Sequence, residues 1–327
     1  MTTTPQSDSL TTGINLLHES PQDQTLAYLF PGQGSQQVGM GRDVAESSRA
    51  AREVFEAADA VLGYGLSTLC FEGPEDELTL TSNAQPAILT TSLAILAAAL
   101  ESGTLRSKPA FMAGHSLGQY TALVVAGALS FEDALRLVRE RGRLMAEAGE
   151  RQPGTMAAIV ALDEQAVSDI CKESGAEPAN YNLESQVGIG GTPESVDRAR
   201  ELAKERGGKA LPVKVSGAFH TSLMQPAADR LADAFQDVVV SEPVVPVVSN
   251  VTADVVSRDE IVNDLVVQVI RPVRWHQSIT HMTENGVSRF VEIGNGQLLA
   301  AMMKRHASEL EVVTLNSAES LASPSNV

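Results

Sequence analysis

A five-residue pattern, Gly114-His115-Ser116-Leu117-Gly118, constrains this chain more than any other stretch. G-x-S-x-G is the spacing of a nucleophile elbow, a sharp strand-to-helix turn that exposes a serine hydroxyl. Its flanks suit that reading: Ala110-Phe111-Met112-Ala113 fits a buried strand, and the stretch from Tyr120 to Ala126 fits a helix of small and apolar residues. So tight a reversal puts the serine at a strained backbone position, and the glycines let neighbouring backbone pass close. The N-terminus of the following helix turns unpaired N–H groups toward any oxyanion formed there.

The 327 residues suffice for one large domain with an insertion or for two modest domains. Apolar residues at 43% and charged ones at 20% are ordinary for a globular protein. A formal charge of −17 with only 4% aromatic residues argues against a nucleic-acid partner, which needs basic faces and stacking rings. Cys70 and Cys171 stand far apart in no metal-like spacing, which suggests a reducing compartment. The six histidines form no H-x-x-x-H pair, so neither a metal nor another cofactor is expected. No Lys or Arg precedes Arg42, so Met1 to Asp23 lacks the marks of a secretory or mitochondrial leader and reads as a disordered tail. No apolar run approaches the roughly 18 residues of a membrane span. A cytoplasmic protein with no membrane partner is the expectation.

Apolar runs and breakers divide the chain into a tail (1–24), a large subdomain in two parts (25–153 and 218–316), an inserted small subdomain (154–217) and a frayed C-terminal tail (317–327). The fold class is α/β, with an α/β-hydrolase-like large subdomain whose parallel sheet carries the elbow. Leu26–Phe30 reads as a buried strand ended by Pro31-Gly32, and a long apolar helix runs from about Ala87 to Leu100. The insertion alternates β-α-β-α-β over about 65 residues, which suits a small ferredoxin-like α+β unit.

From Phe131 to Ala148 the apolar stripe is Phe131, Ala134, Leu135, Val138, Met145 and Ala148, and Arg141 falls on it. A guanidinium on an apolar face needs a partner. Two readings stand: an internal salt bridge or a snorkelled side chain, and a bidentate clamp for a substrate carboxylate.

A serine needs a base, usually histidine. His18 lies in the tail, His306 in a charged late helix, and His276 and His281 at apparent surface helix positions. His115 sits beside the serine rather than aimed at it. His220, where a strand ends and a loop begins, is left either as the base or as a structural histidine.

Phe30-Pro31-Gly32-Gln33-Gly34-Ser35-Gln36, the elbow, Arg141-Gly142, Gly217-Ala218-Phe219-His220 and Gln268-x-x-x-Pro272-Val273-Arg274-Trp275 follow one another in that order. Together they resemble the malonyl-CoA:acyl carrier protein transacylases of fatty acid synthesis and the related acyltransferase domains of polyketide synthases, over about Leu26 to Arg305. The resemblance implies Ser116 as the nucleophile carrying a malonyl ester and His220 as its base. It implies an oxyanion hole from the N–H groups of Gln33 and Leu117, a carboxylate clamp at Arg141, and Gln268 orienting the histidine through its backbone carbonyl. Ala218-Phe219 is the pairing of malonyl-selective members, which places Phe219 in the substrate site. Malonyl-CoA and a holo acyl carrier protein are the implied partners.

Three stretches depart from the family pattern: Gln119 where Glu is usual, Gly294-Asn295-Gly296 in place of Gly-Pro-Gly, and the wording from Asn180 to Gln186. Gln119 keeps an acyl hydrolase of the same fold in view, beside a polyketide-associated acyltransferase, a general esterase and a non-catalytic acyl-binding subunit. Carrier proteins are acidic, so docking on a chain of −17 calls for a local basic patch, with Arg271, Arg274, Lys304 and Arg305 as candidates.

Overall fold

β1 (Gln22–Phe30) lies at the centre of a five-stranded sheet with β2 (Lys108–Gly114), β7 (Val247–Val248), β8 (Arg289–Ile293) and β9 (Glu311–Leu315), in the order β7-β2-β1-β8-β9. All four pairings are parallel. Leu26–Phe30 is wholly buried, as a continuous apolar run in a parallel sheet covered on both faces must be. The computed structural model describes residues 8–307 and 309–322.

The insertion forms its own antiparallel sheet from β3 (Thr155–Val160), β4 (Glu177–Leu183), β5 (Gln186–Gly191) and β6 (Lys209–Val213), in the order β4-β5-β3-β6. Helices Glu164–Ser174 and Pro193–Glu205 cross over it and bury Val167, Ile170, Val196 and Leu202 against Ile159, Val187 and Ile189. Asp163 and Thr192 cap the two helices through Ala166 N and Ser195 N. The β-α-β-β-α-β order and strand order are ferredoxin-like. β4 is absent from the sequence reading because its residues, Glu-Pro-Ala-Asn-Tyr-Asn-Leu, contain no apolar run. It also ties the subdomains together: Tyr181 N donates to Val273 O at 2.8 Å, and Val273 N to Ala179 O at 2.9 Å.

Three expectations need correction. The disordered tail over 1–24 does not hold from residue 8, although residues 1–7 lie outside the described residues. Asp8–Glu19 is a helix whose Leu10, Ile14 and Leu17 are buried against the long helix Thr81–Glu101, and His18 Nε2 meets Val125 O at 2.7 Å. That long helix is, by length and composition alone, apolar enough to cross a membrane, but 89% of its apolar window is buried inside the protein. It is the core helix of the large subdomain. Near the C-terminal end β9 forms one edge of the large sheet, and Ala318–Ala322 after it is helical, so the frayed tail over 317–327 is corrected as far as residue 322.

Candidate active site

β1 and β2 end side by side, with Phe30 opposite Gly114, so the loops leaving both strands meet at the carboxyl end of the sheet. Ser116 follows β2 at φ 52°, and helix Gly118–Val125 starts two residues later. The glycines are required by contact. A Cβ on Gly114 would stand 1.9 Å from Gly118 C, one on Gly118 2.1 Å from Phe30 O, and one on Gly32 2.2 Å from His115 O. Gln33 leaves β1 in the loop that these contacts press onto the elbow. Among the described residues, neither the Gln33 N–H nor the Leu117 N–H has a hydrogen-bond acceptor.

His220 reaches the serine from the chain returning out of the small subdomain. Its backbone stands at φ 62°, with its N–H donated to Val269 O at 3.1 Å. Nε2 is 2.8 Å from Ser116 Oγ, and Nδ1 is 2.7 Å from Gln268 O. A carbonyl only accepts, so Nδ1 carries the ring proton and Nε2 is left to accept from the serine. Burial, followed by the nearby Arg141 charge, pushes the His220 pKa down to about 3, which keeps the ring neutral.

Arg141 is buried on helix Phe131–Arg151 with 1% of its surface exposed. Nη1 donates to Gln85 Oε1 at 2.8 Å, and Nη2 to Ser116 Oγ at 3.0 Å and Gln268 Oε1 at 2.9 Å. Nε has no partner among the described residues, and no carboxylate among them pairs with the guanidinium. The salt-bridge and snorkelling readings therefore fail. What the stripe holds is a desolvated cation with spare donors, beside the serine, and burial lowers its pKa.

Beneath the serine lies a polar layer that the sequence did not disclose. Ser116 N donates to Asn250 Oδ1 at 2.7 Å, and Asn250 Nδ2 to Gly114 O at 2.8 Å. Gln268 Nε2 lies 3.1 Å from Ser116 O and 2.9 Å from Gln119 Oε1. Gln119 Nε2 donates to Asp264 Oδ2 at 2.6 Å, and the Ser249 hydroxyl to Asp264 Oδ1. Burial raises the Asp264 pKa. The sequence hints were Gln119, as a departure from pattern, and Gln268, within its motif.

The remaining candidates fall elsewhere. Phe219 is buried in the large hydrophobic core next to His220 in the chain. His115 turns away from Ser116, with Nε2 3.0 Å from Asn182 Oδ1 and its ring against Trp275. His276 is not a free surface residue, since its Nδ1 faces His306 Nδ1 at 3.0 Å. The thiols of Cys70 and Cys171 are pushed up to about 12 by burial. Among the described residues, no cluster of three or more His, Cys, Asp or Glu is placed to hold a metal ion.

Residues 27–322 match the family described as the acyl transferase domain. The malonyl CoA-acyl carrier protein transacylase of Bacillus subtilis is 46% identical over 303 residues, covering 90% of this chain and 95% of its own length. The enzyme of that name from Escherichia coli K12 is 42% identical over 302 residues, covering 90% and 97%. An acyl carrier protein S-malonyltransferase from Vibrio cholerae superposes with a TM-score of 0.87 at 40% identity, over 91% of this chain and 98% of that one. A malonyl-transacylase solved in complex with its type II PKS acyl-carrier protein gives 0.88 at 41% identity, over 91% and 98%. With a match that runs from the middle of β1 to the last described helix, the chain belongs to the acyl transferase family.

Proposed function

We propose that this protein moves a malonyl group from malonyl-CoA to the phosphopantetheine thiol of an acyl carrier protein, by way of a malonyl ester on Ser116, and so supplies extender units for fatty acid synthesis in the cytoplasm. The observation that carries the reading is the buried Arg141 guanidinium, paired with no carboxylate among the described residues and 3.0 Å from Ser116 Oγ. A thioester that brings a free carboxylate is the ligand such a cation lacks.

His220 Nε2 takes the proton from Ser116 Oγ as the oxygen attacks the thioester carbonyl. The N–H groups of Gln33 and Leu117, which have no acceptor among the described residues, receive the oxyanion. The intermediate collapses by breaking the C–S bond, and the departing coenzyme A sulfur takes the proton from His220. The carrier thiol then gives its proton to His220 and attacks the ester carbon, and Ser116 leaves with the proton returned. Gln268 holds the base through its carbonyl, and Phe219, buried next to His220 in the chain, is the residue that the family pattern assigns to the acyl site.

Docking of an acidic carrier falls to Arg271, Arg274, Lys304 and Arg305, all exposed. Reversing their charges should raise KM for the carrier protein and leave KM for malonyl-CoA unchanged; equal effects would remove them from docking.

The deciding experiment is intact-protein mass after brief mixing with malonyl-CoA, beside Ser116→Ala. A malonyl adduct on the unsubstituted protein alone, passed on to added holo carrier protein, supports the transfer. Rapid loss of that adduct to water would make the protein a hydrolase instead.

A further inference from the structure

The hydrogen bonds beneath Ser116 run in one direction only. A backbone N–H can only donate, so the Gln119 atom 3.0 Å from Asn250 N is its amide oxygen. Its amide nitrogen is then the atom facing Asp264 Oδ2 at 2.6 Å. The same Gln119 oxygen takes Gln268 Nε2 at 2.9 Å, which leaves Gln268 Oε1 for Arg141 Nη2 at 2.9 Å. At the far end, Ser249 Oγ already accepts from Val251 N at 2.9 Å and Thr252 N at 3.1 Å, so its hydrogen goes to Asp264. Flipping either amide would set donor against donor, at Asn250 or at Arg141.

Asp264 and Gln268 sit one turn apart on helix Ile261–Gln268, and Gln119 from the elbow helix bridges them. All three are buried, and no cation pairs with Asp264 among the described residues. An anion at one end of the chain and a cation at the other make every link more polar in the same sense.

We propose that Gln119 and Asp264 are positioning residues: the acceptor-only carboxylate of Asp264 sets the orientation of Gln119, and through Gln268 holds the Arg141 guanidinium toward the substrate carboxylate. This rests on the reading of Arg141 as the malonyl clamp.

The test exchanges the two groups. Gln119→Glu alone sets two carboxylates against each other. Asp264→Asn alone supplies an amide that cannot accept from both Ser249 and Gln119. Together they restore every donor and acceptor, since the amide then at position 264 donates to the carboxylate at position 119 and accepts from Ser249. Each variant is assayed for loading from malonyl-CoA and for acylation by p-nitrophenyl acetate, which has no carboxylate to clamp. Each single change should lower malonyl loading by about tenfold or more and acetyl loading much less, and the double variant should return malonyl loading to within about threefold of the unsubstituted protein. If the single variants fail to fold, the double variant must still fold and load. A double variant that is unfolded or no better than the singles overturns the proposal, as do single variants that depress both substrates equally. Failure of the unsubstituted protein to load malonyl would instead remove the functional reading itself.

Discussion

Nδ1 of His220 lies 2.7 Å from the main-chain oxygen of Gln268, so a carbonyl, not a carboxylate, stands behind the imidazole. That partner fixes the tautomer but offers little charge to stabilise an imidazolium, while burial and Arg141 both oppose one. The free protein's base should therefore stay unprotonated well into acid. In a pH profile of kcat/KM for malonyl loading, the acid limb assigned to His220 should fall far below the ordinary histidine value of 6.5. An acid limb near 6.5 that vanishes with the histidine would contradict this environment.

The same shift bears on stability. Between about 3 and 6.5 the unfolded chain binds a proton at residue 220 that the folded protein does not. Stability should accordingly rise with pH across that window and level off above it. Melting temperatures of the unsubstituted protein and His220→Gln, compared across the window, should show the slope reduced in the variant.

Arg141→Ala should cut kcat/KM for malonyl-CoA by about 10- to 100-fold, the size of a charge-assisted hydrogen bond, and leave acylation by p-nitrophenyl acetate nearly intact. Steady-state kinetics with the two substrates separate this from general damage, in which both would fall together.

Away from the chemistry, the helix Asp8–Glu19 should matter to stability alone. Leu17 is 1% exposed, so Leu17→Ala should cost about 2–4 kcal/mol in denaturant unfolding. Loading of the folded variant by malonyl-CoA should be unchanged. A variant of ordinary stability would mean that the helix is not held against the core.

Glu292, buried on β8, accepts Leu299 N at 3.1 Å and Ala300 N at 2.8 Å, and so caps the helix Leu298–His306 from within the sheet. Burial raises its pKa. Above 4.5 and up to that raised value, the folded protein keeps a proton that the unfolded chain has lost, so stability falls as pH rises. Glu292→Gln should cost about 1–2 kcal/mol, because one N–H then faces an NH₂ group, and should flatten that slope in thermal melts.

Motifs whose meaning is local were readable in the chain. The elbow glycines are legible because the turn leaves no space for a Cβ, and Arg141 because one charge interrupts a helical stripe. The helix Asp8–Glu19 was hidden by its Thr and Ser residues, although Leu10, Ile14 and Leu17 keep helical spacing. β4 was hidden by a polar alternation that shows its purpose only when paired with β5 and bridged to Val273. Asp264 gave no signal at all. Its importance comes from partners 145 residues and 15 residues away, and no periodicity records such a meeting.

Ser116 and His220 are 104 residues apart in the chain, with the whole of the small subdomain between them. Contacts that close so long a loop form after local ones. The elbow's own supports, Asn250 and Gln268, likewise come from beyond that loop. A chain cut short anywhere before residue 220 carries Ser116 without its histidine, so the pair belongs to the whole protein and not to the elbow.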